Sequence, residues 1–206
     1  MGALSCSPPP DSSPSSGGYL VQKGPYQALY GRNGRIVRLL HDENGDGKPE
    51  AVTVFRPDGR PERVEIDTDN DGVVDRWEYL GRSGLEKVGS STRKPGQPDL
   101  WVYTDASGVI TRRDLDEDGN GSVDRIERYL GSRLVKVEVD ADGDGRIDRW
   151  QDWGSGRLSA EELDTDGDGK PDRRLRYNAA GGVAAIEPIA ALPSRPGSVP
   201  EAPPRP

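Results

Sequence analysis

Hydrophobic residues along this 206-residue chain come in short alternating runs broken by Asp-Gly and Ser-Gly reversals, the pattern of strands that turn back on themselves. AVTVF-RPDGR-PERVEI, RWEYL-GRSG-LEKV, LWVYT-DASG-VITRRDL and RIERYL-GSR-LVKVEV each read as strand, tight turn, strand. Val135, Val137 and Val139 show the period of two. Trp77 with Tyr79, and Trp101 with Tyr103, show it on the opposing arm, so a sheet with one apolar and one solvated face is expected. Glycine turns, prolines and β-branched residues interrupt every window in which a helix could run.

Between the hairpins stands a recurring acidic stretch. It starts at Asp42, Asp67, Asp116, Asp140 and Asp164, spaced by 25, 49, 24 and 24 residues. The long gap holds a degenerate copy, Ser91 to Asp99, which keeps the glycine (Gly96) and the last acid (Asp99). Six repeats therefore run from Asp42 to about Pro188, the signature of a repeat array. An earlier hairpin, Tyr26 to Leu40, lacks an acidic stretch before it and is expected to cap the array. The expected fold is all-β: a tandem β-hairpin array over residues 19–188, built as a curved antiparallel ribbon or solenoid. A leader and Pro/Ser tether precede it (1–18) and a disordered Pro-rich tail follows (189–206).

The acidic stretches have the chemistry of a hard-cation loop. In DTDNDGVVD, carboxylates stand at positions 1, 3 and 5 (Asp67, Asp69, Asp71), glycine at 6, and a carboxylate at 9 (Asp75); the carbonyl of Val73 is available at 7. The same register gives Asp42, Asn44, Asp46, Lys48 and Glu50 in the first loop. It gives Asp116, Asp118, Asn120, Ser122 and Asp124 in the next complete one. The last two carry Asp140, Asp142, Asp144, Arg146, Asp148 and Asp164, Asp166, Asp168, Lys170, Asp172. Positions 1, 3, 5 and 9 always offer a side-chain oxygen, and position 7 a backbone carbonyl. Oxygen donors on alternate residues of a tight loop suit Ca2+; zinc would want His or Cys, of which the chain has only His41 and Cys6. Position 12 is irregular, with Glu78 and Glu127 but also Thr53, Gln151 and Leu175, so position 9 is expected to close the loop. A bare Asp-Gly turn needs one acid; three on alternate positions plus a fourth repel one another unless a cation screens them. In the degenerate copy Arg93 and Pro95 replace ligands, and no ion is expected there.

These residues resemble the DxDxDGxxD calcium loops of thrombospondin type 3 repeats and dockerins, relatives of the EF-hand loop. Thrombospondin repeats also carry paired cysteines, absent here. The hairpins ALYGRNGRIVRL and VYTDASGVITR are similar to bacterial RHS/YD repeats, which implies a continuous β-ribbon; seven hairpins are too few to enclose a cargo.

Composition narrows the function. Only 32% of the chain is hydrophobic and its mean hydropathy is −0.81, so a thick core is not expected. The excess of 36 acidic over 28 basic residues, a net charge of −8, disfavours nucleic acid or anionic lipid as partner. The single cysteine forbids an internal disulfide. MGALSCSPPPDSSPSSGG resembles the end of a bacterial lipoprotein signal, which implies lipidation of Cys6 and membrane contact through that anchor alone; the alternative is a disordered leader. Trp77, Trp101 and Trp150 at loop position 11 are expected to join repeats rather than stack sugars, with Trp153 the better exposed contact. Arg76, Arg125, Arg149 and Arg173 are expected to pair with carboxylates. No nucleophile–base arrangement or phosphate loop is present, so no enzyme is expected. The expected function is a calcium-stiffened structural or adhesive module, extracellular or on a bacterial cell surface or outer membrane. Surface polysaccharide or another surface protein is its expected partner, a carbohydrate-binding module is the alternative, and a hydrolase a more distant one.

Overall fold

The computed structural model describes residues 18–189; the Cys6 leader and the Pro-rich tail lie outside the described residues. Alternating runs of five to seven residues become strands β1 (Tyr19–Lys23), β2 (Tyr26–Tyr30), β3 (Ile36–His41), β4 (Ala51–Phe55), β5 (Pro61–Ile66), β6 (Arg76–Leu80), β7 (Leu85–Ser90), β8 (Leu100–Thr104), β9 (Ile110–Leu115), β10 (Arg125–Leu130), β11 (Arg133–Val139), β12 (Arg149–Gly154), β13 (Arg157–Leu163), β14 (Arg173–Tyr177) and β15 (Val183–Pro188). All 15 lie in one sheet whose spatial order is the chain order, and every pair is antiparallel. β1 and β15 are not paired with each other, so the ribbon is open. The sequence pattern had marked no strand before Tyr26; β1 is an addition, joined to β2 through Gly24 and Pro25.

Reversals alternate between the two edges of the ribbon. From β2 onward one edge carries the tight turns of the hairpins, and the other, after the Gly24-Pro25 turn, carries the nine-residue loops 42–50, 67–75, 91–99, 116–124, 140–148 and 164–172. In the first tight turn after an acidic loop, the Arg56 N–H donates to the Arg60 carbonyl (2.8 Å) and the Gly59 N–H to the Arg56 carbonyl (2.9 Å). Gly59 has φ of 87°, the left-handed conformation such turns need, and the register slips by one residue beside it, between Val54 and Phe55. The same slip recurs in later hairpins. Between β10 and β11 it leaves Val135 without a partner, because Arg128 faces Lys136 and Tyr129 faces Leu134. The period of two therefore holds for Val137 and Val139 and breaks at Val135.

Each strand touches only its neighbours in sequence, so the described strands form a single layer with no second sheet or helix over either face. This overturns the expectation of one apolar and one wet face. Trp77, Trp101, Ile126 and Trp150 share a face with Glu65, Asp114 and Glu138, while Val64, Val88 and Val137 share the other with Glu78, Arg113 and Glu127. An apolar face with nothing to cover it would stay in water, and both faces instead mix apolar residues with ion pairs. Arg63 meets Glu65 at 2.7 Å, Arg76 meets Glu78 at 2.7 Å and Arg125 meets Glu127 at 2.9 Å. Among the described residues only Val52, Val88, Val137 and Ala160 are buried hydrophobics, Val137 completely, whereas seven acidic residues are buried.

Trp101 joins neighbouring repeats. Trp101 lies over Gly89 of the adjacent strand, occupying the space a Cβ there would need (2.5 Å to Cζ3), and Lys87 Nζ sits 3.6 Å above its ring. Trp153 is half-buried, its indole N–H donating to Gln151 (3.3 Å), and it faces Leu158 across its hairpin, so it is not the free aromatic contact expected of a tryptophan outside position 11.

Candidate metal centres

Each acidic loop is wound around its own side chains. The first acid spans the loop: Asp116 Oδ1 accepts from the Gly119 N–H (2.7 Å) and Oδ2 from the Gly121 N–H (2.8 Å). Asp42, Asp140 and Asp164 make the same pair of bonds. The winding needs left-handed backbone twice, at positions 4 and 6. Gly119 and Gly121 have φ of 76° and 91°, and in the second loop Asn70 (61°) replaces the first of these glycines. The need at position 4 was readable from the recurring glycine or asparagine there, a signal that attention to position 6 alone passed over.

The remaining predicted ligands divide by position. At position 3, Asn44, Asp69, Asp118, Asp142 and Asp166 each accept from the N–H of position 5. At position 5, Asp46, Asp71, Asn120, Asp144 and Asp168 each accept from the N–H of position 7, which is Lys48, Val73, Ser122, Arg146 or Lys170, at 2.6 to 2.8 Å. At position 9, Glu50, Asp75, Asp124, Asp148 and Asp172 accept from the N–H of position 2 and so clasp the two ends of the loop. Thr68 and Thr165 add their hydroxyls to that clasp. The Glu43 N–H, then the Glu50 amide itself, holds the Glu50 carboxyl below its usual value. Burial pushes Asp164 up, but the N–H groups of Gly169 and Gly167 outweigh it and leave that carboxyl below the usual range.

These bonds leave carboxylate oxygens converging. In three loops the acids of positions 1, 3 and 9 place one oxygen each within 4.8 Å of the others: Asp116, Asp118 and Asp124; Asp140, Asp142 and Asp148; Asp164, Asp166 and Asp172. In the second loop the converging acids are Asp67, Asp69 and Asp71. The loop from Asp42, with asparagine at position 3, makes no such triad of acids. Several Asp triads can thus hold a metal ion, and their donors are all hard oxygens. Position 12 takes no part: Glu78 and Glu127 are engaged by arginines of their own strands.

The second loop carries the plainest mismatch between group and surroundings. Asp67 is 5% exposed; its Oδ2 accepts from the Gly72 N–H (2.7 Å), and its Oδ1 is buried with no partner. Elsewhere that oxygen is met by the N–H of position 4. Here Asn70 stands at that position and the bond is not made. A buried carboxylate oxygen without a donor is costly, and a cation among Asp67, Asp69 and Asp71 would satisfy it.

Successive loops are tied to one another along the edge. The N–H of position 1 donates to the carbonyl of position 9 in the loop before: Asp67 to Glu50 (2.9 Å), Asp116 to Asp99 (2.9 Å), Asp140 to Asp124 (2.8 Å) and Asp164 to Asp148 (2.9 Å). Long cationic side chains add a second tie, Lys48 Nζ to the Asp71 carbonyl (3.2 Å), Lys94 Nζ to the Gly119 carbonyl (2.7 Å) and Arg146 to the Gly167 carbonyl (3.3 Å). With two strands per repeat, neighbouring loops stand about 10 Å apart. Of the side-chain bonds that wind a complete loop, the degenerate loop keeps the clasp: Thr92 donates to Asp99 through N–H (3.0 Å) and hydroxyl (2.9 Å).

No protein-family model and no curated protein sequence matches the chain. Among solved structures, TarM of S. aureus, determined as a mutant with fondaparinux, alpha-GlcNAc-glycerol and UDP, is similar at 10% identity and a TM-score of 0.40 over 49% of this chain and 20% of that one. The accessory secretory protein 1, 2 and 3 structure from Streptococcus pneumoniae is similar at 15% identity and a TM-score of 0.30, over 56% and 19%. The chain thus spans about a fifth of the length of either, and neither likeness bears on function.

Proposed function

We propose that the chain is a calcium-binding repeat protein, structural or adhesive, displayed at a cell surface or secreted, in which Ca2+ in the acidic loops stiffens a single-layer ribbon. The observation that carries this reading is the buried, unpartnered Oδ1 of Asp67, a residue whose carboxylate converges with those of Asp69 and Asp71, in a loop whose pattern recurs along the same edge. Calcium fits better than magnesium because several protein oxygens converge without demanding an octahedron, and better than zinc because no loop offers sulfur or imidazole; His41 is hydrogen-bonded to Glu43 at 3.0 Å. The likeness of the loops to thrombospondin type 3 and dockerin loops points the same way.

The fold has a need that such ions meet. Four buried hydrophobic residues among those described are a small core for a ribbon of this length, and one cysteine allows no internal disulfide. At millimolar calcium and a dissociation constant on the order of 10⁻⁴ M, each filled loop contributes about 1.4 kcal/mol to folding. The lipoprotein-like segment at Cys6 supports surface display, and an acidic single-layer ribbon suits a structural or adhesive role. Sugar stacking on the aromatic row is the weaker reading, since Lys87 Nζ covers the Trp101 ring.

Calorimetric titration with calcium, joined to circular dichroism before and after a chelator, tests the proposal. Four or five ions per chain and a chelator-reversible fall in melting temperature are expected. Zero or one ion with an unchanged spectrum would reduce the loops to turns and remove the proposal.

A further inference from the structure

One place along the loop edge departs from the repeat. Between loop 67–75 and the degenerate loop 91–99 lies a cleft whose one wall is Asp69, Asp71 and Asp75 and whose other is Thr92, Arg93 and Lys94. Arg93 stands at loop position 3, where the complete loops have Asn44, Asp69, Asp118, Asp142 or Asp166, so this cleft sets an acidic wall against a basic one. Lys94 spends its ammonium on the Gly119 carbonyl, whereas the exposed Arg93 makes no hydrogen bond or ion pair among the described residues.

Loop 67–75 is also the one with the orphaned buried oxygen, Asp67 Oδ1, so a cation is wanted there on grounds independent of its acidity. The protein closes only part of a calcium shell at this loop. Asp75 has its Oδ2 held by Thr68, and Glu78 at position 12 is held by Arg76, while calcium takes 6–8 oxygen ligands in all. Coordination positions are left for a ligand from outside, on the side where the free guanidinium stands.

We propose that this cleft binds an oxyanion, a carboxylate or a phosphate monoester, shared between the cation of loop 67–75 and the Arg93 guanidinium. The inference rests on the calcium reading above and adds to it the class of ligand. A planar guanidinium matches the paired oxygens of a carboxylate or phosphate, and a hard cation takes the same oxygens, so the two recognise one chemistry.

The test uses the full-length 15N-labelled chain. Calcium is added first, and movement of the Gly72 and Val73 amides reports filling of loop 67–75. Sodium glucuronate or, separately, methyl phosphate is then titrated in. The expected result is a saturable shift of the Gly72, Val73, Thr92 and Arg93 amides that a chelator abolishes. Arg93→Gln should weaken it about five-fold, the upper range for an exposed ion pair, while calcium stoichiometry stays unchanged. The stronger of the two probes identifies a carboxylate or a phosphate source. Filling of the loop with no shift on adding either anion, or equal shifts in Arg93→Gln, overturns the oxyanion site and leaves the calcium reading standing. Gly72 and Val73 amides that do not respond to calcium overturn both.

Discussion

Replacing Asp67 by asparagine should change the stability of the ribbon in opposite directions with and without calcium. The side chain is 5% exposed, with one oxygen bonded to the Gly72 N–H and the other bare. Asparagine keeps the bonded acceptor and removes a charge whose oxygen lies within 4.8 Å of those of Asp69 and Asp71. Even at the dielectric of water, two like-charge contacts at that distance cost about 1.7 kcal/mol together. In chelator, Asp67→Asn should therefore stabilise the protein by about 1–2 kcal/mol, or about 2–8 °C in melting temperature for a chain of this size. In 10 mM free calcium the wild type gains about 1.4 kcal/mol if the loop binds at 10⁻³ M, and about 2.7 kcal/mol at 10⁻⁴ M, most of which the variant forgoes. The advantage of the variant should vanish or reverse. Thermal melts followed by circular dichroism in chelator and in calcium measure both arms. A variant less stable than wild type in chelator would show that the bare oxygen is no liability, and a difference that calcium leaves untouched would place no ion in loop 67–75.

Two further outcomes follow from the sheet. Burial pushes the Glu127 carboxyl up, but the Tyr129 hydroxyl and Arg125 together hold it below its usual value of 4.5, so its contribution is present above that pH and lost as pH falls through the lower folded value. Glu127→Gln should cost about 1–2 kcal/mol at pH 7, allowing for partial solvent screening of the pair, and urea midpoints of the two proteins should converge in acid below pH 4.5; a gap that is constant with pH would mean the carboxylate charge contributes nothing. At Gly89, an added Cβ would meet the Trp101 ring at 2.5 Å, so Gly89→Ala should displace that indole and cost about 1–3 kcal/mol, read as a changed near-ultraviolet dichroism signal with a lower melting temperature; an unchanged signal would show that the ring does not rest there.

What the sequence disclosed is what a few adjacent residues decide. Hairpins announced themselves because alternation and Asp-Gly turns are local, and the loops because their ligands lie within nine residues of one another. What stayed hidden depends on neighbours brought close by pairing. Val135 reads as one more member of an alternating run until the left-handed turn at Gly131 forces the register to slip. Which acid joins positions 1 and 3, Asp71 in the second loop but Asp124, Asp148 and Asp172 in the others, is set by how each loop is wound, and the second loop has Asn70 where the others have glycine. Lys48, Lys94 and Arg146 look like ordinary surface cations in sequence. Their reach to a carbonyl more than 20 residues ahead appears only once two strands separate successive loops.

A single layer whose strands touch only their chain neighbours has a particular response to force. Tension applied between the two ends of the described ribbon acts across the strands, so the hydrogen bonds of the outermost pair open one after another instead of shearing together, and the next pair is loaded only when the first has gone. Each repeat of 24 or 25 residues would then release about 70 Å of chain, its extended length less the width of two strands. Resistance along this series is set rung by rung, highest where a loop is clasped and tied to the next, so the ribbon yields in equal increments from its ends, as a tether that lengthens by steps while its middle remains folded.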